Sequence, residues 1–173
     1  EGKEGYDYVL LDYDRPYLIK SPDSTNPAYD PDVHLKYVTD YLNSCLSALS
    51  EQDWDKICEL IDVDSFVDWW IMEEFARNTD SNFFASCFMY YDPKDYLIHM
   101  GPVWDFDLGF GNSKVNIKTS DFLADEKGVL ENDAGQRYAY RGNWLCRLKE
   151  DPAFMNKVSA SWKEVKSLIN MYF

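Results

Sequence analysis

The sequence predicts an α+β fold, mostly helical, with a short β-hairpin that carries the acids of a candidate site. Three observations lead there. Apolar residues recur at helical spacing over 33–49, 51–61, 64–77 and again after 143. Two β-rich runs flank the polar turn Asp92-Pro93-Lys94-Asp95. The run from Gly101 to Asn112 sets Asp105 and Asp107 one residue apart inside apolar, glycine-rich sequence.

Taken in order, Tyr6, Tyr8 and Leu10, then Tyr13, Tyr17 and Ile19, alternate as one or two short strands broken at Arg15-Pro16. Residues 21–32 are rich in Pro, Asp, Ser and Asn and read as a surface connection. Leu35, Val38, Leu42, Cys45 and Leu49 define a helix over 33–49 with one apolar face, and Trp54, Ile57, Cys58 and Ile61 a second over 51–61. Asp64 is the expected N-cap of a third, with Val67, Trp70, Ile71 and Phe75 as its buried stripe and Arg77 in its last turn. The runs 82–91 and 96–103 then form the hairpin, which would bring Asp80 and Asp105 back to one end. Residues 112–142 show no steady period and are expected to be a long loop. Helices return at 143–149 and 152–171, the latter with Phe154, Val158, Trp162, Val165, Leu168 and Ile169 on one face.

Composition fits one domain spanning 1–173: the 173 residues are 46% hydrophobic and 17% aromatic, enough for a core. A net charge of -14, with 17 scattered Lys and Arg, excludes a nucleic-acid surface. No apolar run is long enough to span a membrane. The four cysteines have no Cys-x-x-Cys spacing, which argues against zinc; Cys45 and Cys58 are either a pair or buried free thiols. His34 and His99 stand isolated in sequence and are assigned structural or surface roles. Trp54, Trp70 and Trp162 fall on helix stripes, so they read as core rather than as a carbohydrate platform.

The chemistry concentrates in the acids. A carboxylate held against apolar sequence needs a partner, and a divalent cation suits two together. Asp105 and Asp107 are therefore candidate metal ligands. An Asp-x-Asp-x-Gly calcium loop is the rival reading, but Phe106, Leu108 and Phe110 suit a solvated loop poorly and a distal Glu is missing. Asp80, in Arg77-Asn78-Thr79-Asp80, is either a second functional acid or a residue that ends a helix and caps the next turn. Of Glu73 and Glu74, one is expected toward solvent and one toward an Arg or backbone partner.

The order of an acid at a helix end, a hairpin, then an Asp-Phe-Asp turn resembles the catalytic and metal-binding halves of a protein-kinase-like active site. Val-Asp-Ser-Phe-Val-Asp-Trp-Trp, Glu-Glu-Phe-Ala-Arg-Asn-Thr-Asp and Gly-Pro-Val-Trp-Asp-Phe-Asp-Leu-Gly-Phe-Gly-Asn, between Asp62 and Asn112, resemble the spore coat protein H (CotH) kinase family; Trp144 to Phe154 continues the likeness more weakly.

That resemblance implies the C-terminal lobe of a protein-kinase-like fold. Asp80 is then the catalytic acid that accepts or orients the proton of a Ser hydroxyl, Asp105 holds magnesium or manganese against the ATP phosphates, and Asp107 assists it. On the cofactor side, Asn78 shapes the turn, Asn82 is a polar neighbour, and Asn112 fixes the loop after the metal acid. Kinases commonly place a metal-binding Asn five residues after the catalytic Asp; here that position is Ala85, with Asn82 and Ser86 as the nearest polar substitutes. A glycine-rich loop and a strand Lys paired with Glu are missing, Lys20 does not fit the part, and the chain opens at Glu1 without a signal segment. The smaller N-terminal lobe is thus expected to precede these residues in a longer protein, and this stretch alone to be inactive.

The implied function is an atypical kinase that moves phosphate from ATP to Ser of secreted or coat proteins, extracellular or at a bacterial cell surface. The alternative is a non-catalytic extracellular binding or attachment module on the same scaffold. Its partner is a protein substrate, with no nucleic acid, and no oligomeric state is implied.

Overall fold

The computed structural model describes residues 7–11, 16–23, 25–79, 85–112, 122, 129–131, 137–139 and 144–172. Among them the fold is α+β, with five α-helices and three two-stranded antiparallel sheets. The chain divides into two compact units, Glu1–Ser47 and Ala48–Phe173.

In the first unit, β1 (Tyr8–Leu10) pairs antiparallel with β2 (Pro16–Leu18), Val9 opposite Tyr17. The Tyr29 hydroxyl donates to Asp7, and burial together with this acidic neighbour pushes its phenol up to about 12. Helix α1 (Pro31–Glu51) starts where Asp30 accepts the N–H groups of Asp32 and Val33, with Pro31 at the first helical position, where no N–H is needed. Leu42 and Cys45 are buried, as the apolar stripe requires, and burial raises the Cys45 thiol to about 12. All four cysteines are free thiols, and Cys58 is exposed rather than buried.

The second unit contains the end of α1, where Ala48 and Leu49 are buried. Gln52 takes a left-handed conformation and its side chain donates to Leu49 and Arg147 carbonyls, which separates α1 from α2 (Trp54–Leu60). Asp53 accepts the Lys56 N–H as the N-cap, so α2 begins later than its apolar period suggests. Helix α3 (Val63–Ala76) begins after Asp62 instead of after the expected cap Asp64. The reason lies outside the helix: Ile61 bridges to Ile98 and the Asp62 N–H donates to the Ile98 carbonyl, which holds this step extended. Asp64 falls in the first turn and pairs with Lys157 instead.

β3 (Met89–Asp92) and β4 (Leu97–Met100) form the expected hairpin, with Met89 opposite Met100 and Asp92 opposite Leu97. Asp95 in its turn is held below the usual carboxylate range, first by the Leu97 N–H and then by His99. Within the stretch expected to be loop, β5 (Val129–Glu131) pairs with β6 (Arg137–Ala139), a hairpin too short to leave a readable alternation. Helices α4 (Trp144–Glu150) and α5 (Pro152–Tyr172) close the unit, with Asp151 accepting the Ala153 N–H at the start of α5.

The core lies around α3. Trp70 stacks on Phe154 at 5.3 Å, and Phe66 on Trp144 at 5.8 Å. Because α3 packs against both α5 and β4, Phe66, Trp69 and Glu73 are buried along with Val67, Trp70 and Ile71. The expected stripe fails at its end: Phe75 is 52% exposed, and on α5 Trp162, Leu168 and Ile169 are exposed too. Phe75 instead meets Trp162 and Phe110 in a surface aromatic group. Glu73 and Glu74 are buried and half-buried, so neither points freely to solvent. Among the described residues no helix is long and apolar enough to cross a membrane.

Candidate active site

The site is built on the C-terminal end of α3. Arg77 takes the left-handed conformation (φ 52°) that ends many helices, and its N–H reaches back to the Glu73 and Glu74 carbonyls. The Glu74 carboxylate receives Trp70 Nε1 at 2.8 Å and Arg77 Nη1 at 3.0 Å, which fixes this end from the side. Asn78 comes next and is fully buried. Its Nδ2 donates to the backbone carbonyl of Asp105 at 3.1 Å.

The open end of the β3–β4 hairpin brings Asp105 to that point. Beyond the last strand pair the chains stay together: the Gly101 N–H donates to the Phe88 carbonyl at 2.7 Å, and a Cβ on Gly101 would lie 2.8 Å from Phe88 Cβ. Only glycine permits this approach. Phe88 and Trp104 face each other at 5.4 Å, and Trp104 Nε1 donates to the Ser86 carbonyl. Ser86 Oγ then donates to Asp105 Oδ2 at 2.9 Å.

Asp105 itself is left-handed (φ 61°, ψ 55°) and opens a 3-10 turn, Phe106–Leu108. The buried Gly109 sits with its would-be Cβ 3.2 Å from the Ala76 carbonyl, which accepts the Phe110 N–H. Asn112 closes the loop by donating its Nδ2 to the Asp107 carbonyl at 2.6 Å. Among the described residues, four of the six non-glycine residues with positive φ, Arg77, Ser86, Asp105 and Phe110, belong to this one assembly. Conformations of that kind cost of order 1 kcal/mol or more each and persist where surrounding contacts over-determine them.

The arrangement separates two duties. Backbone positions at 105–112 are fixed by Asn78, Ala76 and Asn112, while the carboxylates of Asp105 and Asp107 remain exposed. Among the described residues these two do not join a group of three ligand side chains. Paired, exposed oxygen donors fit a hard cation that takes its remaining ligands elsewhere, as magnesium does from water and phosphates.

A family model described as CotH kinase protein matches residues 11–171. The chain belongs to the CotH kinase family. No curated protein and no solved structure matches it.

In this CotH kinase chain the residues singled out from sequence meet as two pairs, Asn78 with Asp105 and Asn112 with Asp107. In both the Asn binds a backbone carbonyl, so its amide shapes the loop. Ser86, noted only as a polar substitute near Ala85, touches the Asp105 carboxylate directly. Asp80 and Asn82 lie outside the described residues. Sequence reasoning missed a second cluster, at the turn end of the hairpin, where Asp92, Asp95 and His99 gather with Asp62. Its signal was the polar turn Asp92–Asp95 followed four residues later by His99 in an otherwise apolar strand.

Proposed function

We propose that this CotH kinase chain is a protein-kinase-like C-terminal lobe that serves ATP-dependent phosphorylation of Ser in secreted or coat proteins, at or outside a bacterial cell surface. The reading is carried by the Asp105 loop: a left-handed Asp whose carbonyl is held by a buried Asn and whose carboxylate is presented outward. Phosphoryl transfer is mainly positioning and charge neutralisation, and such a loop supplies positioning without using up the carboxylate.

Asp105, with Asp107 beside it, would hold magnesium or manganese with the phosphates of ATP; bound there, the cation neutralises phosphate charge. Ser86 orients the Asp105 carboxylate through its hydroxyl. Asp80, two residues after the buried Asn78, takes or orients the proton of the attacking Ser hydroxyl, as the family resemblance implies.

The test is incorporation of radiolabelled phosphate into Ser by the full-length protein. Asp80→Ala should lower transfer by ~10² to 10⁴, the usual contribution of a positioned base, with the fold intact. Transfer unaffected by Asp80→Ala refutes that role. Undetectable transfer by folded protein across several divalent metals favours a second reading, a non-catalytic binding module on the same scaffold. Ala85 supports this second reading, since it stands where kinases commonly carry a metal-binding Asn.

A further inference from the structure

The turn end of the β3–β4 hairpin carries a second group of ligand-type side chains, away from the Asp105 loop. Asp92, Asp95 and His99 each offer one ligand atom, and these atoms all lie within 4.8 Å of one another. The turn holds the two carboxylates in place through backbone: Asp92 Oδ1 accepts the Lys94 N–H and Asp95 Oδ1 the Leu97 N–H. In Asp95 this leaves Oδ2 toward His99.

His99 decides what the centre needs. Its ring is stacked on Tyr90, the residue opposite it on β3, with centroids 5.1 Å apart and planes at 11°, and its side chain is only 14% exposed. Nδ1 lies 2.8 Å from Asp62 Oδ2, and Asp62 is itself anchored by its N–H on the Ile98 carbonyl. An imidazole that binds a metal through Nε2 keeps its N–H at Nδ1, where Asp62 stands to accept it. Nε2 lies 2.9 Å from Asp95 Oδ2, a contact that either a proton or a metal ion can bridge. A carboxylate on the far ring nitrogen is also the usual support of a metal-binding histidine, because it fixes tautomer and ring orientation. Two ligands at the tetrahedral angle, each about 2.1 Å from a zinc-type ion, stand about 3.4 Å apart, so Nε2 and Asp95 Oδ2 need to part by roughly 0.5 Å to admit one.

We propose that Asp92, Asp95 and His99 form a site for a divalent transition cation of the zinc class, with Asp62 as the positioning residue that orients His99. One nitrogen and two oxygen donors select zinc, cobalt or manganese over calcium or magnesium, which prefer all-oxygen sets. The site requires nothing of Asp105 or of ATP, so it stands whether or not the chain is a kinase.

Cobalt(II) is the probe, since its visible absorption reports ligation by nitrogen and oxygen donors. Titration into metal-free protein should saturate at one ion per chain, in wild type and equally in Asp105→Asn, which removes the other candidate cation position; zinc should then displace the colour. His99→Gln should abolish the band. Asp92→Asn, which leaves the Asp62–His99–Asp95 contacts in place, should weaken binding at least about ten-fold with an unchanged circular dichroism spectrum. Asp62→Asn should cost roughly 10- to 100-fold in affinity while the band survives, the effect typical of a supporting carboxylate. Absence of saturable absorption, or a band that persists in His99→Gln, overturns the proposal and makes the cation between Nε2 and Asp95 a proton.

Discussion

At the turn end of the β3–β4 hairpin, Asp62, Asp92 and Asp95 are engaged by His99 or by backbone N–H groups, and the side chains organise the structure. At the open end the order is reversed. Buried Asn78, the Ala76 carbonyl and Asn112 organise the backbone, and Asp105 and Asp107 are exposed, with Ser86 donating to the Asp105 carboxylate. The two ends thus hold their acids in opposite ways: at the turn end through the carboxylates, at the open end through the backbone around them.

This contrast breaks most visibly at Asp105. Asp105→Asn keeps the backbone contact to Asn78 and should lower phosphate transfer by ~10² or more, in line with loss of a charge-stabilising group. Its unfolding free energy from denaturant titration should stay within about 0.5 kcal/mol of wild type, as for surface substitutions. A large loss of stability would place the carboxylate among the structural groups and erase the difference between the two ends.

Asn78→Ala makes the opposite change, removing the support and sparing the acid. It takes this donor from the Asp105 carbonyl at a partly buried contact and empties a fully buried side-chain position, and should cost about 1–3 kcal/mol in chemical denaturation, with transfer falling too. A cost below about 0.5 kcal/mol would show that the loop is held elsewhere.

At the turn end, Asp62→Asn should cost about 1 kcal/mol in metal-free protein and leave phosphate transfer at its wild-type level, because the loss is of a partly exposed hydrogen bond far along the hairpin from Asp105. A fall in transfer would join the two ends functionally.

The smallest effect concerns Lys157 and Asp64, beside the start of α3. Lys157→Ala should cost about 0.2–1 kcal/mol, since both partners are largely exposed. The Asp64 hydrogen bond raises the Lys157 amine above its ordinary value of 10.5. A raised lysine contributes stability that is fully present below the unfolded value and is lost as pH rises through the folded one. The gap between wild type and Lys157→Ala should thus be constant near neutrality and close above pH 10.5. A gap that persists there would assign the loss to side-chain packing.

Most of this architecture was legible because it is written in local periods and caps. The helices α1, α4 and α5, the β3–β4 hairpin and the strands near residues 8–18 follow from apolar spacing and turn residues. Where the reading slipped, long-range contacts had overruled local signals. Asp64 looked like a cap until strand pairing at Ile98 moved the start of α3, and Phe75 looked buried because the helix period says nothing of where its cover ends. At the site, the paired acids and their flanking Asn residues were visible as letters. That Asn78 and Asn112 would bind backbone carbonyls was not, since such contacts depend on a hairpin returning within hydrogen-bond reach. The His99 cluster escaped for a related reason: Asp62 lies far from it in sequence and meets it only through β4.

The grip of Asn78 on Asp105 falls on a peptide oxygen, an atom that every amino acid brings to that position. The socket thus recognises chain path and is blind to side-chain identity, provided the residue tolerates the left-handed conformation, which Asn and Gly do at little cost. If Asp105 holds metal as proposed, a lineage built on this fold can discard that carboxylate in one substitution and keep a folded, displayable surface. Enzyme and non-enzyme are then neighbours in sequence space, separated by a single carboxylate.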